Sequence, residues 1–338
     1  MKQFRTMVYA RTMEFVRDRG TFFWNLLFPV LLVFGFSFAF SGEGQPLFKV
    51  GVLGSPPAAL ESPASFLAIE QGRFIVYGPE ESREAVLDRL RRHELDMVLD
   101  PGSRSYYLNV QGRNASLLRR LAAADPGLRE YVERTVTGAP IRYVDWLVPG
   151  VIGMNIMFSC LFGVGFVLVR YRKNGVLKRL KATPVSAAAF VTAQAVSRFL
   201  IVILTSVVVF AGTNAFLRFR MEGSWAALLA IAALGIVSME ALGLVFAARL
   251  RSEELVNGLM NLATLPMLAL SGVFFSLEGS PDILKSVSRA LPLTHAIGAA
   301  RAVMLEGAGF GRIAPDLLFL GIFSAAALAL ASALFRWE

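Results

Sequence analysis

Two histidines and one cysteine are all that this chain of 338 residues offers to soft-metal or thiol chemistry, too few donors for a zinc site built from them. Ser271-Gly272 and His295 are the one combination that resembles the nucleophile and base of an intramembrane serine protease. The residues before Ser271 lack the glycine such a site uses, and His295 falls outside the apolar runs. A Gly-x-x-x-x-Gly-Lys-Ser/Thr loop occurs nowhere, so nothing in the sequence would cradle nucleotide phosphates. No catalytic residue and no metal ligand is assigned. What remains is polar chemistry inside apolar stretches. Glu240 stands nine residues before Arg249, roughly 13 Å of helix rise, too deep for its carboxylate to reach water, so it must be protonated or paired. Arg198, at similar depth in another apolar run, is the expected partner. Asn155, and Asn257 with Asn261 one turn further along a different run, either line a path or hydrogen-bond between helices. Met154, Met157, Phe158, Phe162 and Phe274 would give such a path a soft apolar wall, or serve as ordinary packing.

The elements that must position these groups are long and greasy. Hydrophobic residues make up 55% of the chain and charged ones 17%, and the apolar residues gather into runs of about 20, the length that crosses a bilayer. The net charge of +9 sits largely beside those runs, where it orients a membrane protein and attracts anionic lipid; this argues against nucleic acid. The single Cys160 lies within a run and forms no intramolecular disulfide.

In chain order, residues 1–20 predict an interfacial elbow helix, with Phe4, Met7, Val8 and Phe15 on one face and Arg11 interrupting it. Residues 21–41 form span 1, with a kink at Pro29 and an uncleaved end. Residues 42–145 are rich in charge and read as an inserted α/β domain outside the cytoplasm. Its strands are Phe48–Leu53, Phe74–Tyr77, Met97–Leu99 and Tyr106–Val110; its helices are Ser62–Gln71, Glu80–His93, Asn114–Ala124 and Gly127–Thr137. Residues 146–338 hold spans 2 to 6: Trp146–Val169, Ala187–Leu217, Trp225–Ala248, Leu255–Phe275 and Asp316–Phe335. Between the last two, residues 277–312 predict a broken helical hairpin dipping into the outer leaflet. The fold class is an α-helical polytopic membrane protein with six transmembrane helices, an N-terminal interfacial helix and a small extracytoplasmic α/β domain.

One loop sets the orientation. Residues 170–186 carry six Lys/Arg and no acidic residue, which places them in the cytoplasm, and with an even number of spans both termini with them. Gly175 would turn the chain sharply, and Val176, Leu177, Lys178, Arg179, Leu180 and Lys181 would form a short amphipathic helix ended near Thr183 and Pro184. Leu177 and Leu180 are expected to anchor in a groove of a soluble partner, with Lys178, Arg179 and Lys181 steering the docking or binding lipid headgroups.

Four stretches carry a likeness to the membrane (permease) subunits of type-2 ABC exporters. They are the inner-face helix running into span 1, Val144-Asp-Trp-Leu-Val-Pro-Gly150, Asn174-Gly-Val-Leu-Lys-Arg-Leu-Lys-Ala-Thr-Pro184, and Leu270-Ser-Gly-Val-Phe-Phe275 followed by Leu291-Pro-Leu-Thr-His295 and Arg301. The resemblance implies that Gly175–Pro184 contacts an ABC ATPase subunit, present in two copies, and that a second permease, identical or a close paralogue, completes the path. ATP and Mg would then bind the partner subunit and no cofactor this chain. The domain between spans 1 and 2 resembles the subgroup that exports drugs, antibiotics or other amphipathic compounds across the plasma (inner) membrane. A sensor that relays ligand binding to an ATPase without moving anything would share this architecture.

Overall fold

The computed structural model describes residues 2–39, 48–55, 72–78, 81–91, 95–112, 114–138, 142–182, 187–250, 252–275 and 281–334. The expected helix Ser62–Gln71 lies outside them. The chain divides into two units, Met1–Ala39 with Tyr143–Glu338, and Phe40–Arg142.

The helical unit is arranged around α5 (Tyr143–Lys173), 31 residues long. Leu147, Val151, Met157, Cys160, Leu161 and Val164 bury its flank against the surrounding helices. Those neighbours are α2 (Arg19–Ala39), α7 (Ala187–Leu217), α8 (Trp225–Ala247), α9 (Glu253–Leu270) and α11 (Pro292–Glu306). α1 (Lys2–Arg17) lies against α7, and α12 (Phe310–Leu334) against α8, where the hydroxyls of Ser238 and Ser324 meet at 2.8 Å. Such hydroxyl pairs satisfy polar groups that lipid cannot. α6 (Val176–Lys181) follows Gly175, whose φ of 68° is the left-handed conformation glycine adopts without strain. α10 (Asp282–Arg289) precedes α11, and Arg301 of α11 lies 3.5 Å from the Trp146 ring centroid while donating to the carbonyl oxygens of Trp146 and Gly272. That guanidinium ties α11 to the start of α5 and the end of α9.

Four helices, Tyr143–Lys173, Ala189–Leu217, Trp225–Ala247 and Phe310–Leu334, are long and apolar enough to cross a membrane. Phe4–Arg17 with Phe22–Phe36, bent by 62°, would make a fifth. α9 is not among them. It has 18 residues, begins with Glu253 and Glu254 behind the N-cap Ser252, carries Asn257 and Asn261, and stops at Leu270 rather than Phe275. Gly272 then turns the chain at φ 67°.

The second unit is a five-stranded sheet in the order β2-β1-β3-β4-β5: Gly72–Tyr77, Phe48–Leu53, Met97–Asp100, Ser105–Asn109 and Val132–Val136. Only the β3/β4 pair is antiparallel. Alternation along β3 sends Met97 and Leu99 to one face, where Leu118 and Ala122 of α4 (Ala115–Ala124) pack, and Val98 to the other, where Val86 and Leu90 of α3 (Arg83–Arg91) pack. Gly127–Thr137 is therefore not the helix expected. Pro126–Leu128 makes one 3-10 turn, and Val132–Val136, rich in β-branched side chains, pairs in parallel with β4.

Candidate functional site

α1, α2, α5 and α7 surround a cleft of about 800 Å³, reaching along α5 from Met154 to Arg170. Its apolar wall is a ladder at i, i+4 and i+8: Phe158 and Phe162 have centroids 5.9 Å apart, Phe162 and Phe166 6.4 Å. Polar groups of α1, α2, α5 and α7 also line the cleft. Asn25 of α2 accepts a hydrogen bond from Ser159 at 2.6 Å, and Ser197 of α7 meets Thr12 of α1 at 3.0 Å. Gln194 is buried, with its side-chain oxygen unpartnered among the described residues. Arg11 pairs with Glu14 at 2.7 Å and lies over the Tyr171 ring.

Of the expected path residues, Met154, Asn155 and Phe158 line this cleft. Asn257 and Asn261 do not. Both are exposed on α9, where Asn261 donates to Asn257 at 3.3 Å. Phe274 stacks on Phe36 at 5.1 Å within the packed interior. A second cavity, of about 440 Å³ and almost wholly apolar, lies between α5, α7, α8 and α11 and holds none of the expected residues.

Among the described residues the expected Arg198–Glu240 pair makes no ion pair at contact distance, although the two charges are near enough to act on each other. Arg198 turns toward α5, where Gly163 leaves room for the guanidinium that a Cβ would occupy, and its Nε donates to the Ser159 carbonyl oxygen at 2.8 Å. Glu240, on α8, is 3% exposed, and its Oε1 has no hydrogen-bond partner among the described residues. The reason is positional: α5 packs against both α7 and α8, and Arg198 finds a backbone acceptor on α5.

The basic loop also differs from expectation. Leu177 is fully buried among Val164, Leu168, Leu244 and Val256, so it anchors α6 to its own helical unit and is not available to a partner. Val176 is half-buried against the same cluster, whereas Lys178 and Arg179 are exposed. Thr183 and Pro184, and the side chains of Leu180 and Lys181, lie outside the described residues. Arg172, unremarked in the sequence, is buried just before this turn and donates to the carbonyl oxygens of Ala247, Ala248 and Leu250, the end of α8. A guanidinium there satisfies carbonyls that have no partner in the helix and complements its dipole.

Ser271 and His295 do not meet as nucleophile and base. Thr294 donates to Ser271 at 3.1 Å, while the His295 ring nitrogens contact Asp316 at 2.7 Å and the Arg289 carbonyl at 2.8 Å. Among the described residues no group of three or more His, Cys, Asp or Glu is arranged to hold a metal ion.

Gln194, Ser197 and Arg198 share one face of α7 at i, i+3 and i+4. That spacing of polar residues inside an apolar run is the signal the sequence carries for the cleft.

A bundle of apolar helices with a cleft reaching its basic end has the form of a polytopic transport subunit, and the sequence places it in a family. Residues 107–305 match the ABC-2 type transporter family, more than half of the chain, and the protein belongs to it. Over 186 residues the chain is 27% identical to the inner membrane transport permease YhhJ of Escherichia coli K12, covering 54% of this chain and 49% of that protein. Over 158 residues it is 26% identical to the linearmycin resistance permease protein LnrN of Bacillus subtilis 168, covering 46% and 41%. The aligned region spans about half the length of the curated relatives it matches.

Proposed function

We propose that the chain is the permease subunit of an ATP-driven exporter of amphipathic or hydrophobic small molecules in the plasma (inner) membrane. Two copies, or one with a close paralogue, would form the path, and two copies of a separate ABC ATPase would bind ATP and Mg. The observation that carries this reading is the cleft between α1, α2, α5 and α7, which joins an aromatic wall to buried polar groups. With residues 170–186 in the cytoplasm, the cleft faces the inner leaflet, where an amphipath partitions before export. The relative named for linearmycin resistance supports a small-molecule cargo. Counting the bent α1–α2 pair and α9 with the four long helices gives six spans and cytoplasmic termini.

Coupling would run through the basic turn. Lys178 and Arg179 present exposed charge to the ATPase, and Leu177 passes the displacement into the core it shares with α5, α8 and α9. The test is to reconstitute the chain with the ATPase that co-purifies with it and to follow ATP hydrolysis and uptake of candidate amphipaths into inside-out vesicles. Hydrolysis stimulated by a compound that accumulates supports export. Stimulated hydrolysis with no accumulation of that compound would convert the assignment to a sensor.

A further inference from the structure

We infer that the cleft selects amphipaths bearing an anionic head group, received by Arg198, with the apolar body along Phe158, Phe162 and Phe166; this rests on the permease reading above. A volume of about 800 Å³ suits a drug-sized ligand. Arg198 is the charged group in the cleft that makes no ion pair among the described residues, and the opposite charge that acts on it, Glu240 of α8, does so from beyond ion-pair distance. Its guanidinium donates to a backbone carbonyl and lies 5.2 Å from the Phe15 ring, and among the described residues no carboxylate stands within ion-pair distance of it. The other ionic groups facing the cleft are Arg11 and Glu14, which pair with each other, together with Asp18 and Arg170 at its rim. Among the lining residues three arginines thus face two carboxylates, and Glu240 stands outside that lining.

A charge held in low-dielectric surroundings with no counter-ion in contact is costly, and an incoming anion in contact with it would offset that cost. Gln194 stands one turn before Arg198, and its buried amide lacks a partner for its oxygen among the described residues. Either end of that amide can complete a head group, the nitrogen giving to an oxyanion or the oxygen accepting from a hydroxyl. A cationic amphipath of the same shape would meet Arg198 as a like charge.

The test is equilibrium binding to the full chain in phosphatidylcholine nanodiscs, using a dansylated fatty acid and its primary amide, which differ in charge. The acid should bind about tenfold more tightly, the size expected of one charge-assisted hydrogen bond. Arg198→Gln should bring the two to equal affinity, and Phe162→Ala should weaken both alike. If Arg198→Gln does not fold, Arg198→Lys should retain most of the preference, and the wild-type comparison needs no variant. Equal affinity of acid and amide for the wild-type chain overturns the inference; if Phe162→Ala weakens both, the permease reading still stands. A preference for the acid without ATP-driven flux would keep the anion site and remove the permease reading. Adding phosphatidylglycerol to the disc separates two sources of the same chemistry: displacement of the acid assigns the site to a lipid head group, and persistence assigns it to an exported acid.

Discussion

Gly150 and Gly163 lie on the same helix, α5, and differ in what stands above them. A Cβ at Gly150 would run into the backbone carbonyl of Val273, which is fixed in a turn and cannot yield. A Cβ at Gly163 would run into the guanidinium of Arg198, the free end of a flexible side chain. Gly150→Ala should therefore cost about 1–3 kcal/mol or more through overpacking and reduce the monodisperse protein recovered in detergent. Gly163→Ala should be recovered at wild-type level, yet push Arg198 off the Ser159 carbonyl and lower affinity for anionic probes. Loss of folded protein in both, or in neither, would contradict this account of the helix contacts. Arg198 itself was legible in the sequence as a charge where none belongs, but its partner was not. Depth along a helix follows from residue number, whereas the direction a long side chain takes is decided by which neighbour leaves a gap, and that gap is at Gly163.

At the scale of elements, α6 shows how far periodicity can be taken. The six-residue helix has Val176 and Leu177 turned inward and Lys178 and Arg179 exposed, but nothing in its spacing says which side meets its own protein. Leu177 lies in the core, so Leu177→Asp should behave as a buried charge and destabilise the subunit by about 4 kcal/mol or more, seen as lost membrane-inserted protein. Lys178→Glu with Arg179→Glu should leave the subunit folded and weaken ATPase association, measured by co-purification. The reverse pattern would return Leu177 to the surface. Arg172 makes a related prediction: Arg172→Ala strands the last carbonyls of α8 and should cost about 2–3 kcal/mol, with Arg172→Lys recovering part of it through a single donor. The strand β5 was missed for a complementary reason. Its five residues are specified by pairing with β4, a contact distant in sequence, and the charges of Glu133 and Arg134 masked the β-branched positions around them.

For the whole molecule, the order of apolar runs was plain because each long helix is apolar over its full length, and the four qualifying helices fall where those runs are. α9 was harder to read, since its acidic first turn and two exposed asparagines interrupt the apolar run that marks the four longer helices. Sidedness rests on charge alone. The turn at residues 170–186 has six Lys/Arg and no acid, and one long helix, α5, separates it from the unit Phe40–Arg142. A short basic segment resists translocation, whereas a long domain crosses largely regardless of its charge, so the two should lie on opposite sides of the membrane. Ser103 sits on the exposed turn between β3 and β4, and Arg179 on the exposed face of α6. The native Cys160 is buried and gives little background to a thiol reagent. Ser103→Cys should then react with a membrane-impermeant maleimide in intact spheroplasts, and Arg179→Cys only in inverted vesicles. Labelling of both from the same side would break the argument from charge, and with it the placement of the cleft at the inner leaflet on which export depends.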